Sequence, residues 1–230
     1  MNTRALQQPL TAGALALGLQ LTQQQLTQLL DYLDLLGKWG KVYNLTAVRD
    51  ARHMLTLHLL DSLSLVGPLQ RHIALRGLAG VRVLDVGAGA GLPGVVLAIC
   101  CPELQLTCVD SVAKKAAFVT QVAAALQLAR LRAVHSRVEQ VAGTFDVVTA
   151  RAFASLPDLI ACSDHALAAD GVWVAMKGKV PATELSTVPA TVQVFHVEHL
   201  QVPELDAQRC LVWMQRMGAS APGSKLGAHF

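Results

Sequence analysis

Residues 81–94 read VRVLDVGAGAGLPG and carry the clearest structural signal in the chain. A short β-branched run stops at Gly87, and three glycines then alternate with alanine. Glycines at such a turn let a ligand approach the backbone where a Cβ would clash. Pro93 suits the first turn of a helix that follows directly. The stretch therefore predicts a strand, a glycine loop and a helix at the nucleotide-binding start of a parallel sheet.

Downstream of this unit, apolar runs alternate with helix-like segments. Helices are predicted at 114–128 and 155–168, and strands at 104–109, 131–134, 145–149 and 171–176. Two further predicted strands, 191–197 and 210–214, have little helix-forming sequence between them. Strands separated by helices imply a parallel sheet with right-handed crossovers. We therefore predict an α/β, Rossmann-like sheet that ends in an antiparallel hairpin.

The upstream part of the chain has helical periodicity. Thr22 and Gln25 have the spacing of a capping box, and leucines then recur at helical intervals. A second predicted helix, 53–65, carries His58 and Asp61 on one face. The predicted organisation has three parts. These are an N-terminal helical extension over 1–75, a core domain over 76–217 and a disordered tail over 218–230.

Two ligands suit the glycine loop. Asp110 ends the predicted second strand about 20 positions after Gly91, where an acid accepts hydrogen bonds from ribose hydroxyls. Residues 89–94 match the dinucleotide pattern G-x-G-x-x-G, which is weak evidence alone. Methyltransferases that use S-adenosylmethionine have an acidic residue before G-x-G-x-G at the same place. Asp85 and the terminal hairpin favour a methyltransferase. A nicotinamide oxidoreductase and a non-catalytic protein with a nucleotide-binding type of fold stay open as alternatives.

Composition narrows the class of protein. The densest apolar run, 92–101, is only ten residues long, whereas a membrane span needs about 20. The five cysteines are odd in number and form no C-x-x-C pair, which predicts buried thiols in the cytoplasm. His196 and His199 point to opposite faces of a strand, so no metal site is expected. A net charge of +3 points weakly to an anionic partner.

Several further segments complete a recognisable series. In chain order they are YNLTAVRD at 43–50, HLLDS at 58–62, LDVGAGAGLPG at 84–94, DSVAKK at 110–115, SRVE at 136–139, FDVVTARAFASL at 145–156 and MKG at 176–178. The series resembles the glucose-inhibited division protein B family, the methyltransferases of a 16S ribosomal RNA guanine N7. The resemblance covers about residues 20–216, and the run around Arg151 is specific to it. Ala129 and Arg130 depart from it, standing where the family often has an asparagine.

The resemblance implies a class I methyltransferase fold with S-adenosyl-L-methionine as cofactor. The implied partner is 16S ribosomal RNA or the small ribosomal subunit, with no membrane and no obligate protein partner. Another RNA or a small molecule stays open as the methyl acceptor. The residues implied to contact the cofactor are Gly87, Gly89, Gly91, Leu92, Asp110, Ser111, Val138, Glu139 and Arg151. For Asp110 the reasoning from strand position agrees with the resemblance.

A hypothesis for the acceptor side follows from the same chemistry. Guanine N7 has an in-plane lone pair, so methyl transfer needs neither a general base nor a covalent adduct, and positioning should dominate the rate. The guanine pocket is assigned to Asn44, His58, Asp61 and Arg151, and phosphate contacts are assigned to Arg137, Lys177 and Arg209. Three of these assignments also have an ordinary structural interpretation: a strand end for Arg151, an exposed helical pair for His58 and Asp61, and a solvated turn for Lys177.

Overall fold

The computed structural model describes residues 3–43 and 45–219. Its strands are β1 Arg82–Val86, β2 Gln105–Asp110, β3 Leu131–His135, β4 Phe145–Arg151, β5 Leu167–Lys177, β6 Val192–Leu200 and β7 Arg209–Arg216. They form one sheet in the order β3-β2-β1-β4-β5-β7-β6. Strands β1 to β5 are parallel, whereas β7 runs antiparallel to both β5 and β6. The predicted terminal hairpin is confirmed, and its second strand lies inside the sheet.

The helices flank this sheet and precede it. They are α1 Gln7–Ala16, α2 Gln23–Tyr43, α3 Ala51–Met54, α4 Asp61–Leu63, α5 Val66–Arg76, α6 Gly94–Cys100, α7 Ala113–Ala125, α8 Leu156–Ser163 and α9 Ala182–Leu185. A π-helical turn, Leu55–Leu60, joins α3 to α4. None of the helices within the described ranges is long and apolar enough to cross a bilayer.

Element boundaries differ from the predictions at several places, notably around β5 and α6. The predicted helix 155–168 ends at Ser163, and β5 begins at Leu167 because that residue pairs with Phe145 of β4. The predicted helix start at Pro93 is displaced by one residue, since Pro93 precedes the first residue of α6. At β5 the pairing within the central sheet, rather than local propensity, sets the boundary.

The helical extension shares its core with the sheet domain. Thr22 and Gln25 form the predicted capping box, each accepting a hydrogen bond from the other's backbone amide at 3.2 and 2.9 Å. All leucines of α2 except Leu35 are buried in the same apolar cluster as Val95 of α6 and Phe118 of α7. Tyr32 Oη also donates to the Ala90 carbonyl oxygen at 2.8 Å, which ties α2 to the glycine loop. The predicted boundary near residue 75 therefore crosses a continuous core.

The carboxyl ends of four parallel strands lie side by side, and three of these strands end in a charged residue. The residue after β1 is Gly87, while β2, β4 and β5 end at Asp110, Arg151 and Lys177. Ligands of open α/β sheets bind beyond these carboxyl ends, next to the point where the strand order reverses. Because β1 lies between β2 and β4, that point is at the glycine loop.

Candidate active site

A cavity of about 460 Å³ opens at the carboxyl ends of β1, β2 and β3. The residues that line it are Gly87, Val109, Asp110, Ser111, Val112, Lys115, Ser136, Arg137, Val138, Glu139, Phe153 and Cys162. Five residues predicted to contact the cofactor are thus brought together, namely Gly87, Asp110, Ser111, Val138 and Glu139. Arg137, predicted to contact phosphate, lies in the same wall. We call this the first cavity.

Asp110 connects the glycine loop to the end of β2. Its Oδ2 accepts from the Gly89 amide at 2.9 Å, and its Oδ1 accepts from the Val112 amide at 2.9 Å. Lys115 Nζ lies 3.6 Å from Oδ2, and Asp110 itself is only 7% exposed. A carboxylate has about four acceptor positions. Asp110 therefore keeps acceptor capacity for hydroxyl donors in the first cavity.

The glycines of the loop have different tasks. A Cβ on Gly87, which has φ +62°, would approach the Phe153 ring within 3.0 Å. A Cβ on Gly91, which has φ +88°, would lie 2.5 Å from Val95 Cγ2. Gly87 thus keeps the wall of the first cavity open, whereas Gly91 lets helix α6 pack closely on the loop. Gly89, Gly91, Leu92 and Arg151 lie outside the lining of this cavity, so their contact with a cofactor stays a prediction.

Asp85 is a buried acid behind the glycine loop. Its Oδ2 accepts from the Gly94 amide at 2.8 Å, while its buried Oδ1 has no hydrogen-bond partner among residues 3–43 and 45–219. Complete burial raises the pKa of this carboxyl to about 7, against the opposing effect of the Gly94 hydrogen bond. Asp85 lies outside the lining of the first cavity, where the glycine loop and the free acceptor positions of Asp110 fit a ligand that has hydroxyl groups.

A second cavity, of about 400 Å³, lies beside the ends of β4 and β5. Its lining consists of Leu57, His58, Asp61, Arg151, Ala152, Met176, Lys177, Gly178 and Arg209. The predicted residues His58, Asp61 and Arg151 are thus brought together, and Lys177 and Arg209 join them. Asn44, assigned to the same pocket, lies outside the described residues.

Asp61 organises the charges of the second cavity. Its Oδ2 accepts from Arg151 Nη1 at 2.9 Å, and its Oδ1 accepts from Arg209 Nε at 2.7 Å. Arg151 Nη1 also donates to the Leu57 carbonyl oxygen at 2.8 Å. Leu57 belongs to the π-helical turn, a distortion often found at functional sites. We call Asp61, Arg151 and Arg209 the Asp61 cluster.

His58 borders this cluster in its neutral form. Its Nε2 lies 2.8 Å from Thr46 Oγ1. Burial lowers the pKa of the imidazole, and the nearby positive charge of Arg151 lowers it further. A neutral histidine adds no positive charge to a cavity that already contains two guanidinium groups.

Lys177 is held at the far side of the second cavity. Its Nζ donates to Glu184 Oε2 at 2.8 Å and to the Ala154 carbonyl oxygen at 3.1 Å. Glu184 Oε2 also accepts from the Leu156 amide at 2.7 Å. This pair fixes the loop 151–155, in which Ala152 lines the second cavity and Phe153 the first. Adjacent residues of the chain therefore line the two cavities.

The sequence reasoning did not assign five residues that shape the site: Tyr32, Thr46, Lys115, Phe153 and Glu184. Lys115 carried a usable signal, because it lies in the first turn of the helix after Asp110. Phe153 carried a weaker one, two residues after Arg151. The contacts of Tyr32, Thr46 and Glu184 depend on elements that meet only in the folded chain, and no local pattern indicates them.

The sheet order, the antiparallel β7 and the cavity at the glycine loop define a class I, Rossmann-like methyltransferase. Solved structures share this fold. TrmN from Thermus thermophilus matches with a TM-score of 0.54 at 15% identity, over 71% of this chain and 53% of that one. The ribosomal protein L11 methylase from Lactobacillus delbrueckii subsp. bulgaricus matches with a TM-score of 0.51 at 18% identity, over 66% of this chain and 79% of that one. At these identities the likeness is one of fold.

Sequence relatives identify the family. The GidB family model, described as rRNA small subunit methyltransferase G, matches residues 25–212. The protein named Ribosomal RNA small subunit methyltransferase G in Paracidovorax citrulli (strain AAC00-1) is 59% identical, over 97% of this chain and 96% of its own length. The protein of the same name in Polaromonas sp. (strain JS666) is 61% identical, over 94% of this chain and 96% of its own length. The chain belongs to the rRNA small subunit methyltransferase G family, which confirms the resemblance and sets the nicotinamide alternative aside.

Proposed function

We propose that this protein transfers a methyl group from S-adenosyl-L-methionine to N7 of a guanine in 16S ribosomal RNA. The observation that carries the proposal is the pair of adjoining cavities, with Arg151 and Ala152 in one and Phe153 in the other. A cofactor in the first cavity and a base in the second would meet at this loop. The names of the relatives, which specify small-subunit ribosomal RNA, support the substrate class.

The first cavity has the groups that an adenosyl ligand needs. Its volume is within the range of small-molecule sites, about 300–1,000 Å³. Asp110 and Ser111 would accept and donate hydrogen bonds at the ribose, while Val138 and Phe153 would pack against the adenine. S-adenosyl-L-methionine, when bound there, supplies an electrophilic methyl group on a sulfonium sulfur. The cavity residues contribute by holding that methyl group towards the second cavity.

The second cavity suits a nucleobase that reacts without a general base. N7 of guanine has a free lone pair, so neutral His58 need not remove a proton. As positive charge moves onto the base, the carboxylate of Asp61 offsets the two guanidinium groups already present. An arginine or lysine that donates to guanine O6 would orient the base and leave N7 free. Arg209 and Lys177 are the candidates, because both line this cavity.

The predicted phosphate contacts divide into two kinds. Arg137 is exposed at the rim of the first cavity and suits the RNA backbone. The side chains of Lys177 and Arg209 are only 15% and 22% exposed, and each is paired with a carboxylate. We therefore assign Arg137 to phosphate and the other two to the base pocket. A cytoplasmic location goes with such a substrate.

The proposal is tested with tritiated S-adenosyl-L-methionine and small ribosomal subunits from cells that lack the corresponding enzyme. We expect the label in 7-methylguanosine after digestion of the 16S RNA to nucleosides. Arg151→Ala should abolish transfer while circular dichroism shows a retained fold. Free GTP and 23S RNA serve as alternative acceptors. Label in either of these, or in another nucleoside, would contradict the proposed substrate.

A further inference from the structure

The sheet has an open area on one face of β2 and β3. On the opposite face these strands pack against α6 and α7, and Leu106, Cys108 and Leu131 are buried there. The crossover from β3 to β4 contains only a short 3-10 turn, Val138–Gln140, in place of an α-helix. Side chains alternate between the two faces of a strand. The residues between the buried ones therefore face solvent at the amino-terminal ends of these strands.

Arginines surround this open area. A groove of about 620 Å³ runs between the starts of β1, β2 and β3 and the loop before β4. Its lining includes Arg82, Arg130 and Arg132, together with Thr107 and Thr144, and we call it the basic groove. Among the residues that the structure describes, no aspartate or glutamate lines the groove. A chain with 19 basic and 16 acidic residues would place both signs on an ordinary solvated face.

The guanidinium groups keep donors available. Arg132 is exposed, and its side chain has no hydrogen bond or ion pair within residues 3–43 and 45–219. Arg130 is exposed and uses Nη1 for the Glu103 carbonyl oxygen at 3.1 Å. Arg82 is the most engaged of the three, because Nη2 donates to Thr144 Oγ1 at 2.9 Å and Nε lies 4.0 Å from Asp146. Each guanidinium has five donors, so most of those on Arg130 and Arg132 stay free.

Such a set of groups recognises phosphate. The planar fork of arginine matches two phosphate oxygens, and threonine hydroxyls commonly add contacts to the same backbone. The groove is open at the β3 edge of the sheet, since β3 is the outermost strand. A chain of phosphodiesters can enter from that edge, whereas an enclosed cavity would select a small anion.

We propose that the basic groove binds the phosphodiester backbone of the substrate RNA at a second point, remote from the reacting base. The groove lies at the amino-terminal ends of β1 to β3, and the two cavities lie beyond the carboxyl ends. Five residues of β1 separate them, about 17 Å of extended chain. A folded RNA that reaches both places wraps around the β3 edge. The identity of the RNA rests on the proposed function, while the phosphate contact rests on the groove.

The test neutralises the two available arginines. Arg130→Gln/Arg132→Gln is compared with Arg4→Gln/Arg71→Gln, which removes the same charge from two arginines that are 62% and 61% exposed elsewhere. Filter binding to transcribed 16S RNA is measured across a series of KCl concentrations. Each lost phosphate contact reduces the slope of log K against log salt by about 0.7–0.9. We expect the groove variant to lose about 1.5 in slope and on the order of tenfold in affinity. The control should follow the wild type, and cofactor affinity should be the same in all three proteins.

Equal slopes for the groove variant and the control would overturn the inference. A loss seen only with intact small subunits, and not with transcribed RNA, would also overturn it by assigning the groove to a ribosomal protein. RNA binding is measured separately from methyl transfer, so the two proposals fail separately. Wild-type protein that transfers no methyl group to 16S RNA would contradict the proposed function. A salt slope that still depends on Arg130 and Arg132 would leave the groove assignment in place.

Discussion

Replacing Asp61 with asparagine removes a negative charge from between two guanidinium groups. The carboxylate is 6% exposed, and the side chains of Arg151 and Arg209 are 18% and 22% exposed. Loss of one partner from a buried ion pair costs about 3–5 kcal/mol, because the remaining charge is left uncompensated. Both arginines are partly exposed, so water can solvate the charges that lose their partner. We therefore expect the free energy of unfolding to fall by about 3 kcal/mol, the lower end of this range. For a chain of this size that corresponds to a decrease in Tm of about 6–12 °C.

The assay is thermal unfolding of the wild type and Asp61→Asn, with Asp31→Asn as the matched control. Asp31 also pairs with an arginine, Arg4, but at 3.4 Å and with side chains 43% and 62% exposed. Exposed pairs contribute less than about 1 kcal/mol, so the control should lower Tm by no more than about 4 °C. Methyl transfer should fall in Asp61→Asn because both arginines lose their orientation. Equal changes in Tm for the two variants would refute the reasoning from burial.

Three further predictions concern the first cavity, the glycine loop and a buried histidine outside both cavities. Asp110→Ala should weaken S-adenosyl-L-methionine by at least about 1 kcal/mol in calorimetry, and an unchanged affinity would remove Asp110 from the ribose site. Gly91→Ala should destabilise the protein by about 2–4 kcal/mol in urea, because its Cβ would lie 2.5 Å from Val95, whereas Gly89→Ala has open space and should cost about 1 kcal/mol. Burial lowers the pKa of His72 to about 4, with a smaller effect from Arg76. Unfolding raises that pKa to about 6.5, so the unfolded state binds more protons between these values and stability falls as the pH drops from about 6.5 to 4. His72→Phe should flatten Tm over that range, and an unchanged slope would place the pH dependence elsewhere.

Local patterns predicted the parts of the fold that local physics determines. The strand, glycine loop and helix around Gly87 needed only chain-adjacent residues, and Asp110 needed only the end of the next strand. The position of β7 between β5 and β6 could not be predicted in this way, because strand order depends on contacts between distant segments. Arg209 illustrates the same limit. The sequence indicated a cation suited to phosphate, whereas in the fold it pairs with Asp61, 148 residues earlier in the chain.

The insertion of β7 has a consequence for the timing of activity during synthesis. The ribosome synthesises the chain from its amino terminus at about 5–20 residues per second. The amino-terminal parts of a protein therefore usually begin to fold first. The glycine loop, β2 and Arg151 all emerge well before Arg209, the first residue of β7. Until β7 emerges, β5 and β6 have no common neighbour and Asp61 lacks one of its two cations. The nascent protein therefore completes the second cavity only in the last part of translation, and a chain released before Arg209 would lack one of its walls.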